Sequence, residues 1–256
     1  MEKNLPFVSL SFTDNAYNKF ILPFLGKLDD GNVFKKIITL SLSISSLGLL
    51  IGGIYLTITG LFGDDGFIKN FVTNEMIVGG KKVGSIVGLL LGSVASIITA
   101  WSLFSVLKKR TEQLNGLEYT GLLDFVFNKT LPKLILIIGE LLFILLIYVS
   151  VLQIFASLVG SYVYAPLLRF PTIIMGITPG MQMFNQFIPN QIYGDYDHFD
   201  VYLKMGVLGF AASFIVLIAF YLYKEVYSYI LKLATNLIDF LPKFALPLAI
   251  RRRNEN

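Results

Sequence analysis

The sequence predicts an all-α fold: a polytopic integral membrane protein with four transmembrane helices and interfacial amphipathic segments at both termini. Three observations lead there. Long apolar runs place spans near residues 37–63, 83–107, 134–160 and 205–230. Apolar residues make up 55% of the chain against 15% charged, more than a soluble core requires. The Lys and Arg residues also gather between alternate spans. A spanning helix needs about 20 mostly apolar residues, because hydrocarbon offers no water to satisfy the backbone.

The leader, residues 1–36, mixes Phe7, Phe20, Ile21, Leu22, Phe24 and Leu25 with charges and is interrupted by Pro23. It reads as a cytoplasmic segment along the membrane surface, its apolar side chains in the headgroup boundary and its lysines toward anionic lipid. The first apolar run begins at Ile37 without the short apolar centre and small-residue cleavage site of a secretory signal, so it reads as an uncleaved span.

The first span offers small residues at Ser41, Ser45, Gly48 and Gly52. In the second, Gly84, Gly88, Gly92, Ser96 and Ala100 recur every fourth residue and form a smooth stripe. Small residues let helix backbones approach closely in lipid. The two spans are expected to form a tight hairpin through these stripes. The same stripes would also suit a contact between protomers.

The third span carries a single acidic residue, Glu140, in an apolar run, and Lys133 is two turns away, too far for direct pairing. An intramembrane carboxylate is costly unless partnered. Ser150, Gln153 and Ser157 share a face of the same helix. That face either joins helices by hydrogen bonds or, with Glu140 at its mouth, lines a proton or ion path.

Residues 161–204 form the longest polar-containing segment, with aromatic and Met residues punctuated by Pro166, Pro171, Pro179 and Pro189. It is too apolar for a disordered linker. It reads as an outer cap at the membrane boundary, with a partner surface and a re-entrant element as alternatives. Asp195, Asp197, His198 and Asp200 follow, without the spacing of a calcium loop or of paired zinc-binding histidines, so no metal is assigned. After the fourth span the 37–233 transmembrane domain gives way to a cytoplasmic tail, 234–256. There Pro242 and Pro247 argue against a fifth span, and a short amphipathic helix would anchor at the surface or bind a partner.

Orientation follows from the basic residues, which are retained in the cytoplasm. Lys3, Lys19, Lys27, Lys35 and Lys36 precede the first span; Lys108, Lys109, Arg110, Lys129 and Lys133 separate the second and third; Lys224, Lys232, Lys243 and Arg251 to Arg253 accompany or follow the end of the fourth. Both termini are therefore expected to be cytoplasmic. The net charge of +4 is a topology signal, and no basic soluble domain points to nucleic acid. The chain has no cysteine and one histidine, and shows no phosphate loop, dinucleotide fingerprint or nucleophile elbow. Neither an enzyme nor a cofactor is expected.

Phe127-Asn-Lys-Thr130 through Gly139-Glu140, and Lys224-Glu225 leading into Leu233-Ala234-Thr235-Asn236, resemble a group of small four-span bacterial inner-membrane proteins. The chain departs from that group in having only Trp101 where the group has a tryptophan-rich second span. The resemblance implies four spans and an inner-membrane location, and confers no activity. The functional expectation is a non-catalytic structural or accessory subunit of a homo-oligomer or larger membrane assembly. The alternative is a small channel or ion-coupled transporter component using Glu140, Ser150, Gln153 and Ser157.

Overall fold

A computed structural model describes residues 31–63, 66–69, 79–168 and 191–245, together with Lys19 and Pro23. Most of the leader, residues 169–190 of the expected cap, Asp64, Asp65 and the tail beyond Ala245 lie outside the described residues. The architecture is all-α with four long helices: α1 (Asn32–Phe62), α2 (Gly80–Asn115), α3 (Leu131–Val159) and α4 (Phe199–Ala245). Each includes a segment long and apolar enough to cross a membrane. A π-helical turn, Asp124–Thr130, leads into α3. Two short strands, β1 (Tyr162–Tyr164) and β2 (Gln191–Tyr193), interrupt the connection from α3 to α4.

Local chemistry explains the boundaries. Gly31 precedes α1 at φ 73° and is enclosed by Tyr119, Leu122 and Phe125, a conformation and a crowding that a side chain would oppose. Pro132 sits at the junction of the π-helical turn and α3, where the ladder changes from five-residue to four-residue spacing. Gly160, in the left-handed region, ends α3 and returns its amide to the Ala156 carbonyl at 2.9 Å. Within the spans, Thr57, Ser93 and Ser150 donate to carbonyls four residues earlier, so their hydroxyls need no partner in lipid.

The helices alternate in direction and pack in sequence order, α1 on α2, α2 on α3 and α3 on α4, leaving α1 and α4 at the two ends of a row. The α3–α4 contact is the most extensive and is made by close glycine approaches. Gly139 faces Phe220, Gly206 faces Ile154, and Gly209 faces the Ser150 hydroxyl. The buried core cluster comprises Tyr148, Leu152 and Ala156 of α3 with Val163, Ala165, Leu167 and Ile192 of the α3–α4 connection.

Two helices run past the spans expected from hydropathy. The first helix starts at Asn32, within the segment assigned to the leader. No break separates the fourth span from the tail: α4 runs for 47 residues to Ala245. Pro242 falls in its last turn, so the one ladder bond it removes lies close to the helix end and leaves the rest of α4 continuous. Residues 161–168 of the expected cap descend between the helices, the re-entrant alternative, and residues 191–193 pair with them.

Where glycine approaches set the packing, a side chain should separate the helices. Gly206→Leu would force Ile154 and the Ser150 carbonyl away and should lower stability by about 1–3 kcal/mol. Gly48→Leu, at a site where nothing in the chain itself lies within 4 Å of an added Cβ, should leave the stability of the isolated protomer unchanged. Unfolding of the purified protein by SDS in mixed micelles would measure both.

Candidate functional site

The descending segment is the chain's least ordinary feature. β1 and β2 pair antiparallel, with Tyr162 opposite Tyr193, Val163 opposite Ile192 and Tyr164 opposite Gln191. The resulting ribbon lies in a groove between α2 and α3. Its floor is the small-residue stripe of α2. A Cβ at Gly84 would meet the Val159 carbonyl at 2.9 Å, and one at Gly88 or Gly92 would overlap the carbonyls of Tyr162 and Tyr164. On the other side Gly194 lies against the Ala156 carbonyl of α3.

Depth follows from the helices alongside. Tyr148, whose hydroxyl meets the backbone of Leu167, lies eleven residues before the end of α3, or about 17 Å of helix. Counted from that end of the helix, it is about half the thickness of a hydrocarbon core of about 30 Å. Non-helical backbone at such depth is tolerated only when protein encloses it or a water-filled cavity receives it. Here the protein encloses it: Val163, Ala165 and Leu167 are at most 1% exposed.

A set of buried hydroxyls fastens the ribbon. Tyr164 Oη donates to the carbonyls of Leu56 and Thr57 of α1, each at 2.9 Å, tying the ribbon across α2 to the far helix. Ser96 and Tyr148 hydroxyls lie 2.8 Å apart, joining α2 to α3 beside it. Ser85 and Ser161 share a second contact of 2.8 Å, and Ser161 also donates to the Lys81 carbonyl. Gln153 Nε2 reaches the Tyr193 carbonyl at 3.4 Å. At the open end Tyr193 donates to Asp195 at 3.1 Å. Partial removal from water pushes the Asp195 carboxyl up, but this is outweighed by the Tyr193 hydroxyl, the amides of Asp197 and Tyr196 and the Lys81 charge, so the carboxyl lies below its ordinary range.

The sequence-selected residues separate into groups. Gly84, Gly88, Gly92 and Ser96 are buried together: Gly88 and Gly92 meet the ribbon, Gly84 meets Val159 and Ser161, and Ser96 meets Tyr148 of α3, where α1 or a second protomer was expected. The reason is geometric: a groove floored with glycine admits extended backbone, whose carbonyls approach more closely than a helix with side chains can. The stripe meets α1 at its last residue, Ala100, whose Cβ lies 2.6 Å from a Cβ added at Gly53. Ser41, Ser45 and Gly48 are exposed and Gly52 is half-buried. Ser150, Gln153 and Ser157 are not aligned on an open path: Ser150 packs on Gly209, Ser157 is fully buried and donates to the Ile154 carbonyl, and Gln153 holds the ribbon.

Glu140 has a partner that sequence spacing did not supply. Arg110 of α2 donates to it from Nε at 2.9 Å and through a second contact from its terminal nitrogen, and Tyr221 of α4 donates at 3.4 Å. This two-pronged clamp joins three helices at their Lys-rich ends. Arg110 also donates to Gln113, and Lys133 bonds the Gln113 carbonyl. The expectation that pairing required another chain segment was right about Lys133, and α2 is that segment. Sequence reading did not select Tyr148, Gly53 or Gly206, and it used Arg110 for orientation, Gly139 for the resemblance and Tyr164 as a cap aromatic without assigning any of them a partner. Of these, only the Gly206, Gly209 and Ser213 spacing carried a local signal.

Among the described residues no three His, Asp or Glu side chains gather as a metal site. No protein-family model, no curated protein and no solved structure matches this chain. The chemistry of the site therefore rests on its own geometry, which holds hydroxyls and one neutralised carboxylate in fixed bonds.

Gly88→Ile should expel the ribbon from its groove, seen as labelling by a membrane-impermeant maleimide at Val163→Cys, which is unreactive in the otherwise unaltered chain. Glu140→Gln should leave Arg110 partly unpaired and destabilise by about 1–2 kcal/mol, measured as a lower SDS midpoint that Arg110→Gln in the same chain does not lower further.

Proposed function

We propose that this chain is a non-catalytic structural subunit of a membrane assembly, formed with copies of itself or with another membrane protein. The observation that carries this reading is the unused contact face of α1. Ser41, Ser45 and Gly48 lie exposed on one side of a helix at the edge of the row, and nothing approaches Gly48 within 4 Å. The comparable stripe on α2 is already filled. Small residues aligned on a lipid-facing edge favour close association with another helix.

The site geometry gives less support to the alternative of an ion path. Glu140 is held by Arg110, and Ser150 and Ser157 are committed to backbone carbonyls. We further propose the bacterial inner membrane as the location, on the resemblance described above, with the Lys-rich end cytoplasmic, because Lys108, Lys109, Arg110, Lys129, Lys133 and Lys224 cluster at one end of the helices.

Native mass spectrometry of the gently extracted complex should give a defined multiple of the chain mass or a heteromer, and a monomer at every concentration would exclude the reading. In sealed vesicles, Glu140→Gln and Gln153→Leu should leave ion flux at the level of protein-free vesicles, as should the unaltered chain.

A further inference from the structure

A groove at the Lys-rich end of the helices gathers basic side chains that the fold itself does not use. It lies between the π-helical turn before α3 and the part of α4 that follows Tyr223, and its volume is about 440 Å³. Lys129 of the turn and Lys224, Ser228 and Lys232 of α4 line it, together with the carboxylates of Asp124 and Glu225. Its level in the membrane follows from both elements. The run from Met205 to Tyr223 carries no charge and is bounded by Lys204 and Lys224; as helix it is about 28 Å long, close to the hydrocarbon thickness of about 30 Å. Lys129 and Lys133 are likewise the last basic residues before the apolar run of α3. The groove therefore opens where two spans reach the headgroup layer.

The charges around it divide into used and unused. Asp124 accepts from the Thr120 amide and from Asn128 Nδ2, and Glu225 pairs with Lys224. Among the described residues, Lys129 and Lys232 make no hydrogen bond or ion pair. They stand near enough to Asp124 and Glu225 to feel their charge without bonding to them. The half-buried Ser228 hydroxyl, one turn before Lys232 on the same face of α4, makes no hydrogen bond among the described residues either. Two ammonium groups and a hydroxyl are thus left as donors around one space.

We propose that this groove binds a phosphate group, supplied in the membrane by the headgroup of an anionic lipid. Ammonium groups donate and never accept, so the unused set selects an anion. Lysine meets phosphate as a point charge and needs none of the planar matching by which arginine grips a carboxylate. Basic pockets between spans at the headgroup level suit phospholipid headgroups. Charge favours a lipid over a free phosphate: three lysines against two carboxylates leave the groove one net positive charge, which a phosphodiester neutralises, whereas a free phosphate group carries about 1.5 to 2 negative charges. The inference does not depend on the subunit reading.

Native mass spectrometry of the purified, delipidated chain, titrated in detergent with phosphatidylglycerol or phosphatidylcholine, tests it. Phosphatidylglycerol should bind about ten-fold more tightly, because the choline amine already neutralises the other phosphate. Lys129→Gln with Lys232→Gln should weaken phosphatidylglycerol binding by about twenty-fold, at about five-fold for each lysine. Lys108→Gln with Lys109→Gln, which removes the same charge from the same end but outside the groove, should leave that binding unchanged. None of these lysines bonds to the fold among the described residues, so each pair should keep the SDS midpoint of the unaltered chain. Equal losses in the two pairs, or equal binding of the two lipids, would overturn the site. Inorganic phosphate in excess should not displace the lipid. A phosphate adduct that is lost in the Lys129 and Lys232 pair, with no lipid adduct, would overturn the lipid as the source and leave a site for soluble phosphate.

Discussion

Everything in this fold answers to one constraint: backbone amides and carbonyls inside a bilayer must find partners within the protein. Four helices meet it along their own axes. The ribbon of β1 and β2 does not, because extended chain leaves half of its polar groups facing outward. It is tolerated only because its strands bond each other, the glycines of α2 let its carbonyls lie against a helix, and α3 closes the other side. The depth of Leu167 beside Tyr148 turns a surface connection into part of the core.

The polar groups near that ribbon follow from the same requirement. Tyr164, Tyr148, Ser96, Ser85 and Ser161 place hydroxyls where apolar residues would leave carbonyls or one another unsatisfied. In water each bond would contribute little; where the alternative partner is hydrocarbon, losing one leaves its mate orphaned. The Arg110, Glu140 and Tyr221 clamp applies this logic to charge, fixing three helices at the Lys-rich end while the ribbon fixes three near the other. Between these ties the α3–α4 seam relies on glycine and close packing.

A row of helices, in contrast to a closed bundle, has two edges, and the two differ. The α1 edge is smooth where it crosses the membrane. The α4 edge is longer, 47 residues against the 31 of α1, and stays apolar as far as Leu237. Lipid accounts for exposed apolar residues within the bilayer.

By itself the sequence determined the number of spans, their approximate limits and the small-residue stripe of α2, because hydropathy and a four-residue repeat are local properties of a single helix. It also marked Glu140 as a residue in need of a partner. The tertiary structure alone decided what filled each need. Arg110 is thirty residues from Glu140, and Tyr164 reaches Leu56 across more than a hundred, separations at which no periodicity connects the pair. The stripe's occupant was undetermined for a related reason: glycine specifies close approach but not what approaches, and only the folded chain placed a ribbon there.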